Sequence, residues 1–278
     1  MAYGQPGYRW NHFCVLDLET IVPDADPNGG FPPWPRHEIV CASILQADLE
    51  RYREWRFTLS TVDFTHAEDA LREVDELIGH RTVVSLGGRA FDAPVLGMAA
   101  CQQQLFDCRN IARFWSSPRF GPDHADLVEL FGNYGAVRGG CSMKELSRAL
   151  DVPAKTMCDG SDVAAMVAAG ELEAVGQYCE EDCAVGLALW AHWAALRQSD
   201  PAYHATLISQ FAAHVKDARL NHLTEFLNPP QAEELLRRSV QAIASAGAQA
   251  VELREHLNFV DPDRRGRVVV PAFEDFDA

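Results

Sequence analysis

The sequence predicts an α/β protein: a mixed β-sheet flanked by helices, with a C-terminal helical extension. Three observations lead there. Apolar runs of strand length occur at 13–19, 38–47, 52–59 and 82–86. Segments with helical apolar spacing separate and follow them. The order is β-β-β-α-β-α, and beyond residue 124 the pattern is mostly helical.

Each element has a local reason. "FCVLDLE" (13–19) opens with four apolar residues and forms strand one. "VPDADPNGGFPPWPRH" (22–37) is rich in Pro, Gly and Asp and reads as an irregular loop. "EIVCASILQA" and "YREWRFTL" follow as strands two and three, joined by a short polar turn, so the first three strands form an antiparallel meander. In "THAEDALREVDELIGH" (65–80), Thr65 and Glu68 fit a capping box. Ala67, Leu71, Val74 and Ile78 there make one apolar face. "TVVSL" is a short buried strand, and 92–104 a helix that tolerates Pro94 in its first turn. "HADLVELF" (124–131) leads into a short helix, and Ser142 and Glu145 form a second capping box. Gly170 separates a short helix (161–169) from a long one (171–197). Residues 201–278 are the helical extension, closed by an acidic tail.

The 278 residues are 47% hydrophobic and 23% charged, as in a soluble globular protein with a sizeable core. No apolar stretch approaches the ~20 residues that span a bilayer, so no membrane partner is expected. A net charge of −16 speaks against a broadly basic nucleic-acid binder. It leaves room for an enzyme that grips nucleic acid locally and brings cations with it. The eight cysteines form no CxxC pair, and the N-terminus lacks the pattern of a signal peptide. Reduced thiols in a cytoplasmic protein are therefore expected. Cys179 and Cys183 stand one helical turn apart, but no second Cys/His pair has zinc spacing, so they read as ordinary buried cysteines.

The unusual chemistry is acidic. Asp17 and Glu19 share one face of strand one, with Leu18 on the other. Two carboxylates about 7 Å apart at the end of a buried strand repel and are costly to desolvate. The plain reading is a strand that frays into a polar loop. The alternative is a divalent cation between them. Asp92, after Phe91, stands where a buried strand passes into a helix, as a local cap or a third metal-site acid. On the long helix Val175, Tyr178, Asp182, Val185 and Leu189 form one stripe, so Asp182 interrupts an apolar face. Glu180 and Glu181 point elsewhere and read as solvent-facing. A lone core-facing Asp is expensive unless it is paired or metal-bound. Three or four such acids suit two hard cations that clamp a phosphodiester.

At this point the residues resemble a known family. "DLE" (17–19), "FD" (91–92) and "YCEED" (178–182) look like the three motifs of the DEDD 3′→5′ exonucleases in their tyrosine variant. The ordered segments "FPPWPRHEIVCAS", "HADLVELFGNYGA", "CSMKELSRAL" and "DGSDV" resemble predicted exonucleases related to the proofreading domain of family-B DNA polymerases. The similarity runs from about residue 12 to 225. It implies a ribonuclease H-like fold, with an exonuclease domain over 12–200 and a separate extension over 201–278. It implies two Mg²⁺ or Mn²⁺ ions held by Asp17, Glu19, Asp92 and Asp182. Tyr178 would orient the attacking water. The substrate would be the 3′ end of single-stranded nucleic acid, DNA favoured and RNA also accommodated. A polymerase or other replication or repair protein is an implied partner, and the C-terminal helices are a candidate oligomer surface. Leu18, Phe91, Arg89 and His124 are candidate substrate contacts. Relatives often carry Asn near the position of Gly87, which cannot make the corresponding hydrogen bonds. That departure leaves room for a non-catalytic nucleic-acid-binding or polymerase-associated module on the same fold. "RYREWRF" (51–57) interleaves arginine and aromatics but reads as an edge strand, and Trp190 and Trp193 read as core.

Overall fold

The computed structural model describes residues 7–23, 32–50, 54–137, 141–153 and 162–226, with isolated positions between 237 and 245. Strand β1 (His12–Ile21) is the middle strand of a five-stranded sheet of order β3-β2-β1-β4-β5. Strands β2 (Glu38–Leu49) and β3 (Trp55–Asp63) complete the expected antiparallel meander. Strands β4 (Thr82–Ser85) and β5 (His124–Asp126) run parallel to β1 on its other side. The sheet is therefore mixed, and the C-terminal ends of β1, β4 and β5 share one edge. Strand β3 is an edge strand, shifted towards the C-terminus of the expected span; residues 51–53 lie outside the described residues.

Helices α1 (Ala67–Ile78), α2 (Asp92–Gln102) and α3 (Arg109–Ser116) cover one face. Beyond β5 come α4 (Leu127–Phe131), α5 (Met143–Ala149), α6 (Val163–Ala169), α7 (Leu172–Gln198), α8 (Pro201–Asp217) and α9 (Asn221–Phe226). The 27-residue α7 packs on the opposite face. The alternation of β1 sorts its side chains between these layers. Cys14, Leu16 and Leu18 join the core under α1–α3. Phe13 and Val15 join the core under α7, with Val185, Leu189 and Trp190. Asp17 and Glu19 continue the α7 side.

Two local expectations meet different fates. Ser142 caps α5, and Glu145 returns the bond, a complete capping box. The Thr65–Glu68 box does not form. Helix α1 starts one residue later, after His66, and the Thr65 N–H is taken by the Asp63 carboxylate at 3.0 Å. Helix α3 has no counterpart in the sequence reading. Its first N–H groups are capped from another element: Asp75 on α1 accepts from the Asn110 and Ile111 N–H groups at 2.8 Å each. No local cap announces such a helix.

Helix α7 comes unusually close to β1. A Cβ built on Gly186 would lie 2.6 Å from Val15 Cγ1. One turn earlier, the Cys183 thiol donates to the Ser43 carbonyl at 3.2 Å and lies 3.7 Å from that of Val15. Layers on both sides leave α7 without a solvent face from residue 181 to 191, which corrects the expectation for Glu181, while Glu180 is partly exposed. Glu181 is fully buried, and Glu180 accepts from Thr61 Oγ1 at 2.6 Å and pairs with His222 at 2.7 Å. Trp190 is core as expected, fully buried and packed in a mutual cluster with Trp10 and the half-buried Trp193. Helix α8 belongs to the same core, through Tyr203, Leu207, Phe211 and Val215. The extension beyond residue 226, including the acidic tail, lies outside the described residues apart from the isolated positions. No helix among the described residues is long and apolar enough to cross a membrane.

The closeness of Gly186 to Val15 is testable. Gly186→Val should lower stability by about 1–3 kcal/mol through overpacking, read as a lower thermal midpoint. Pairing it with Val15→Ala should restore more than additivity allows. Strict additivity would mean that α7 does not rest on Val15.

Candidate active site

Strand β1 carries its two carboxylates to the shared sheet edge. In the β1–β2 ladder Asp17 faces Ser43 and Glu19 faces Cys41, and the register slips just after Glu19. Such a bulge bends a strand and re-aims its side chains. Asp17 is partly exposed and Glu19 is buried. From α7 comes Cys179, whose thiol donates to the Asp17 carbonyl at 3.3 Å and to Asp17 Oδ2 at 3.4 Å. Asp17, Glu19 and Cys179 each offer a ligand atom, all within 4.8 Å of one another. Burial, a hydrogen bond with Cys41 and the charge of Asp17 push the Cys179 thiol well above its ordinary range. At neutral pH it is therefore a donor. The sequence pattern marks it, with Cys183, only as an ordinary buried cysteine, because its partner is distant in the chain.

A second acidic group forms where β4 passes into α2. Asp92 is the first residue of α2 and is buried. Burial, then the charges of Asp126 and Asp182, push its carboxyl up to about 8. Asp126 ends β5 and caps α4. Its Oδ1 accepts from the Gly87 N–H at 3.0 Å and its Oδ2 from the Arg89 N–H at 2.9 Å, so it clamps the loop that delivers Asp92. Gly87 sits at φ +83°, where glycine and asparagine are the residues best tolerated. At Gly88 a Cβ would lie 2.6 Å from Asp92 Oδ2 and 2.4 Å from Ser85 Oγ, so only glycine leaves room for Asp92. Asp182, 9% exposed, reaches this group from α7, three residues beyond Cys179.

The other predicted residues fall in different places. Tyr178 is buried at the foot of α7 with Cys41, Val163, Val175 and Cys179. Leu18 points away from the acids into the core under α1–α3. Phe91 packs edge-on against His37, whose Nδ1 lies 2.9 Å from Thr20 Oγ1 at the end of β1. His37 thus links β1 to the Asp92 loop, a role the sequence reading missed. The Arg89 side chain is engaged with Glu129 at 3.0 Å and the Ser117 carbonyl at 2.7 Å. His124 bonds Ser85 Oγ at 2.7 Å, and burial, then Arg89, push its imidazole down to about 3. It is neutral and buried at physiological pH.

The cluster fits hard divalent cations. Its donors are mainly carboxylate oxygens, and the crowding of Asp92 with Asp126 and Asp182 is the repulsion a bound cation relieves. Asp17, Glu19, Asp92 and Asp182 are the residues that could hold them. Sheet order, flanking helices and this acidic edge together define an α/β protein compatible with a ribonuclease H-like fold. The chain belongs to the family of predicted 3′–5′ exonucleases related to the exonuclease domain of PolB, whose family model matches residues 30–230. The matched span contains Asp92, Tyr178 and Asp182 and begins beyond Asp17 and Glu19. No curated protein matches the chain.

The raised carboxyl of Asp92 has a consequence for stability. Its ordinary value is 3.8 and its folded value about 8, so folding takes up a proton between those limits. The contribution is fully present below about 4 and is lost as pH rises through about 8. Without divalent cations the thermal midpoint should fall between pH 5 and pH 9, by roughly several degrees. Asp92→Asn should flatten that fall, and an unchanged slope in the variant would assign the titration to another group.

Proposed function

We propose that the protein is a 3′→5′ exonuclease that hydrolyses phosphodiester bonds at the 3′ end of single-stranded nucleic acid, DNA in preference to RNA, and releases nucleoside 5′-monophosphates. The observations that carry this reading are two acidic groups, Asp17 with Glu19 at the end of β1 and Asp92 with Asp182 where β4 passes into α2, in a member of a family of predicted exonucleases. Mg²⁺ or Mn²⁺ is the cofactor, two ions held by Asp17, Glu19, Asp92 and Asp182. When bound, such ions stabilise charge on the phosphate and lower the pKa of water.

The protein's own groups supply position. Strand β1 holds Asp17 and Glu19 on one face, and the glycines at 87 and 88 let Asp92 approach. The Asp126 clamp fixes the approach of that loop. Tyr178, one turn before Asp182, orients the attacking water, which is the tyrosine-type arrangement. Its buried ring gives that hydroxyl a fixed origin. The 3′ end enters at the exposed side of Asp17, and Phe91 is the aromatic surface beside it. A cytoplasmic setting suits the seven free cysteines among the described residues. A polymerase or other replication or repair protein is the proposed kind of partner.

A gel assay with 5′-labelled single-stranded DNA and RNA tests this reading. In Mg²⁺ or Mn²⁺ the label should shorten stepwise from the 3′ end, and EDTA should stop it. Asp17→Ala and Asp182→Ala should each lose at least about 10²-fold in rate, since each removes a carboxylate that would hold a cation at the reacting phosphate. Tyr178→Phe should lose less, because acidified water remains available. A folded protein that cleaves neither polymer in either metal would leave a binding module as the better account.

A further inference from the structure

We propose that Cys179 is a positioning residue for Asp17, acting through the hydrogen bond from its thiol to the carboxylate. This inference rests on the reading of Asp17 as a cation ligand. Cys179 is fully buried, and its Sγ lies 3.3 Å from the Asp17 carbonyl and 3.4 Å from Asp17 Oδ2. Its one S–H proton is thus shared between the backbone and the side chain of a single residue. Rotation of an aspartate carboxylate about its last bond is broad and roughly two-fold. A donor on one oxygen chooses the rotamer, and so chooses which oxygen faces the partly exposed side of the cluster.

A thiol suits this place for two reasons. It is a weak donor, so it directs the carboxylate while leaving most of its electron density for a cation. It is also small and apolar enough to sit where α7 closes on β1. A serine hydroxyl keeps the donor, but its hydrogen bonds are shorter, about 2.7–2.8 Å. Valine fills the volume and removes the donor. The neighbouring thiol provides an internal control. Cys183 is equally buried on the same helix face, but its contacts are with the main-chain carbonyls of Val15 and Ser43. Residues that orient metal ligands typically carry 10–100-fold in metal affinity. A weak thiol donor belongs at the low end of that range.

The test is a Mn²⁺ titration of the full chain without nucleic acid, followed by the electron paramagnetic resonance of free Mn²⁺. Wild type is compared with Cys179→Ser, Cys179→Val, Cys179→Ala and Cys183→Ala, each shown to be folded by circular dichroism. Cys179→Val and Cys179→Ala should weaken Mn²⁺ binding by about tenfold. Cys179→Ser should stay within about threefold of wild type, and Cys183→Ala should match it. In infrared difference spectra the S–H stretch that disappears in Cys179→Ala should shift when Mn²⁺ is added to wild type. Unchanged affinity in Cys179→Val, or an equal loss in Cys183→Ala, overturns the positioning role and leaves the exonuclease reading intact. A wild type that neither binds Mn²⁺ nor cleaves nucleic acid overturns both.

Discussion

The rest of the structure depends on how closely α7 can lie against β1. Helices usually stand off a sheet by the length of their side chains. Here the contact is made by a glycine and two cysteines, Gly186 against Val15, Cys183 against the carbonyls of Val15 and Ser43, and Cys179 against Asp17. Spacings of four and three residues keep all three on one face. A markedly bulkier residue at these positions would lift the helix from the sheet. Asp182 would then withdraw from Asp92, and the acidic edge would open. The seating of the helix and the geometry of the cluster are one constraint.

That constraint carries an electrostatic penalty. Buried carboxylates gathered at one edge repel, and burial alone already disfavours their charged forms. Asp92 shows the result, its proton held to about pH 8 in the cation-free protein. Asp126 illustrates the opposite solution. It lies in the same neighbourhood and accepts four main-chain N–H groups, from Gly87, Arg89, Val128 and Glu129. One carboxylate is satisfied by the fold and fixes the loop. Its neighbour Asp92 instead carries the repulsion of the group. This division between a structural acid and an available acid is what a cation site requires of its surroundings.

The sequence discloses what is local. Alternation placed Asp17 and Glu19 on one face, and the stripe 175–178–182–185–189 placed Asp182 towards the core; both facts need only a few consecutive residues. Ser142 and Glu145 could be read as a cap for the same reason. Features that depend on distant partners were not legible. Helix α3 begins on a carboxylate from α1, more than thirty residues earlier in the chain. Glu181 is buried because layers far apart in sequence close around α7. Arg89 looks available for a phosphate in the sequence, but Glu129 and Ser117, on either side of β5 in the chain, engage it. Gly87 is instructive in another way. Absence of the relatives' asparagine suggested a lost hydrogen bond, but the left-handed backbone there admits either residue, and the main-chain N–H still binds Asp126.

The C-terminal helices illustrate how the boundary of a folding unit can differ from the boundary of a motif set. The motifs end at Asp182, but the sheet beyond them is incomplete without α8. Strand β3 is an edge, and exposed edges invite pairing with other chains. Helix α8 meets that edge directly: Gln210 accepts the Trp55 N–H at 2.6 Å, and Thr206 accepts from the Trp55 indole at 3.4 Å. At the next level, Tyr203 accepts from the Trp190 indole and donates to the Trp10 carbonyl, tying α7, α8 and the lead-in to β1 at one hydroxyl. A second tie runs along the sheet face that bears the acids. Ser43, the cross-strand neighbour of Asp17, bonds Thr61; Thr61 bonds Glu180; and Glu180 meets His222 on α9. Removing these helices would expose the β3 edge and half of an aromatic core, and would also free α7 from its outer layer. The same helix brings Cys179 to Asp17 and Asp182 to Asp92, so the acidic groups depend on the C-terminal layer that holds α7 in place.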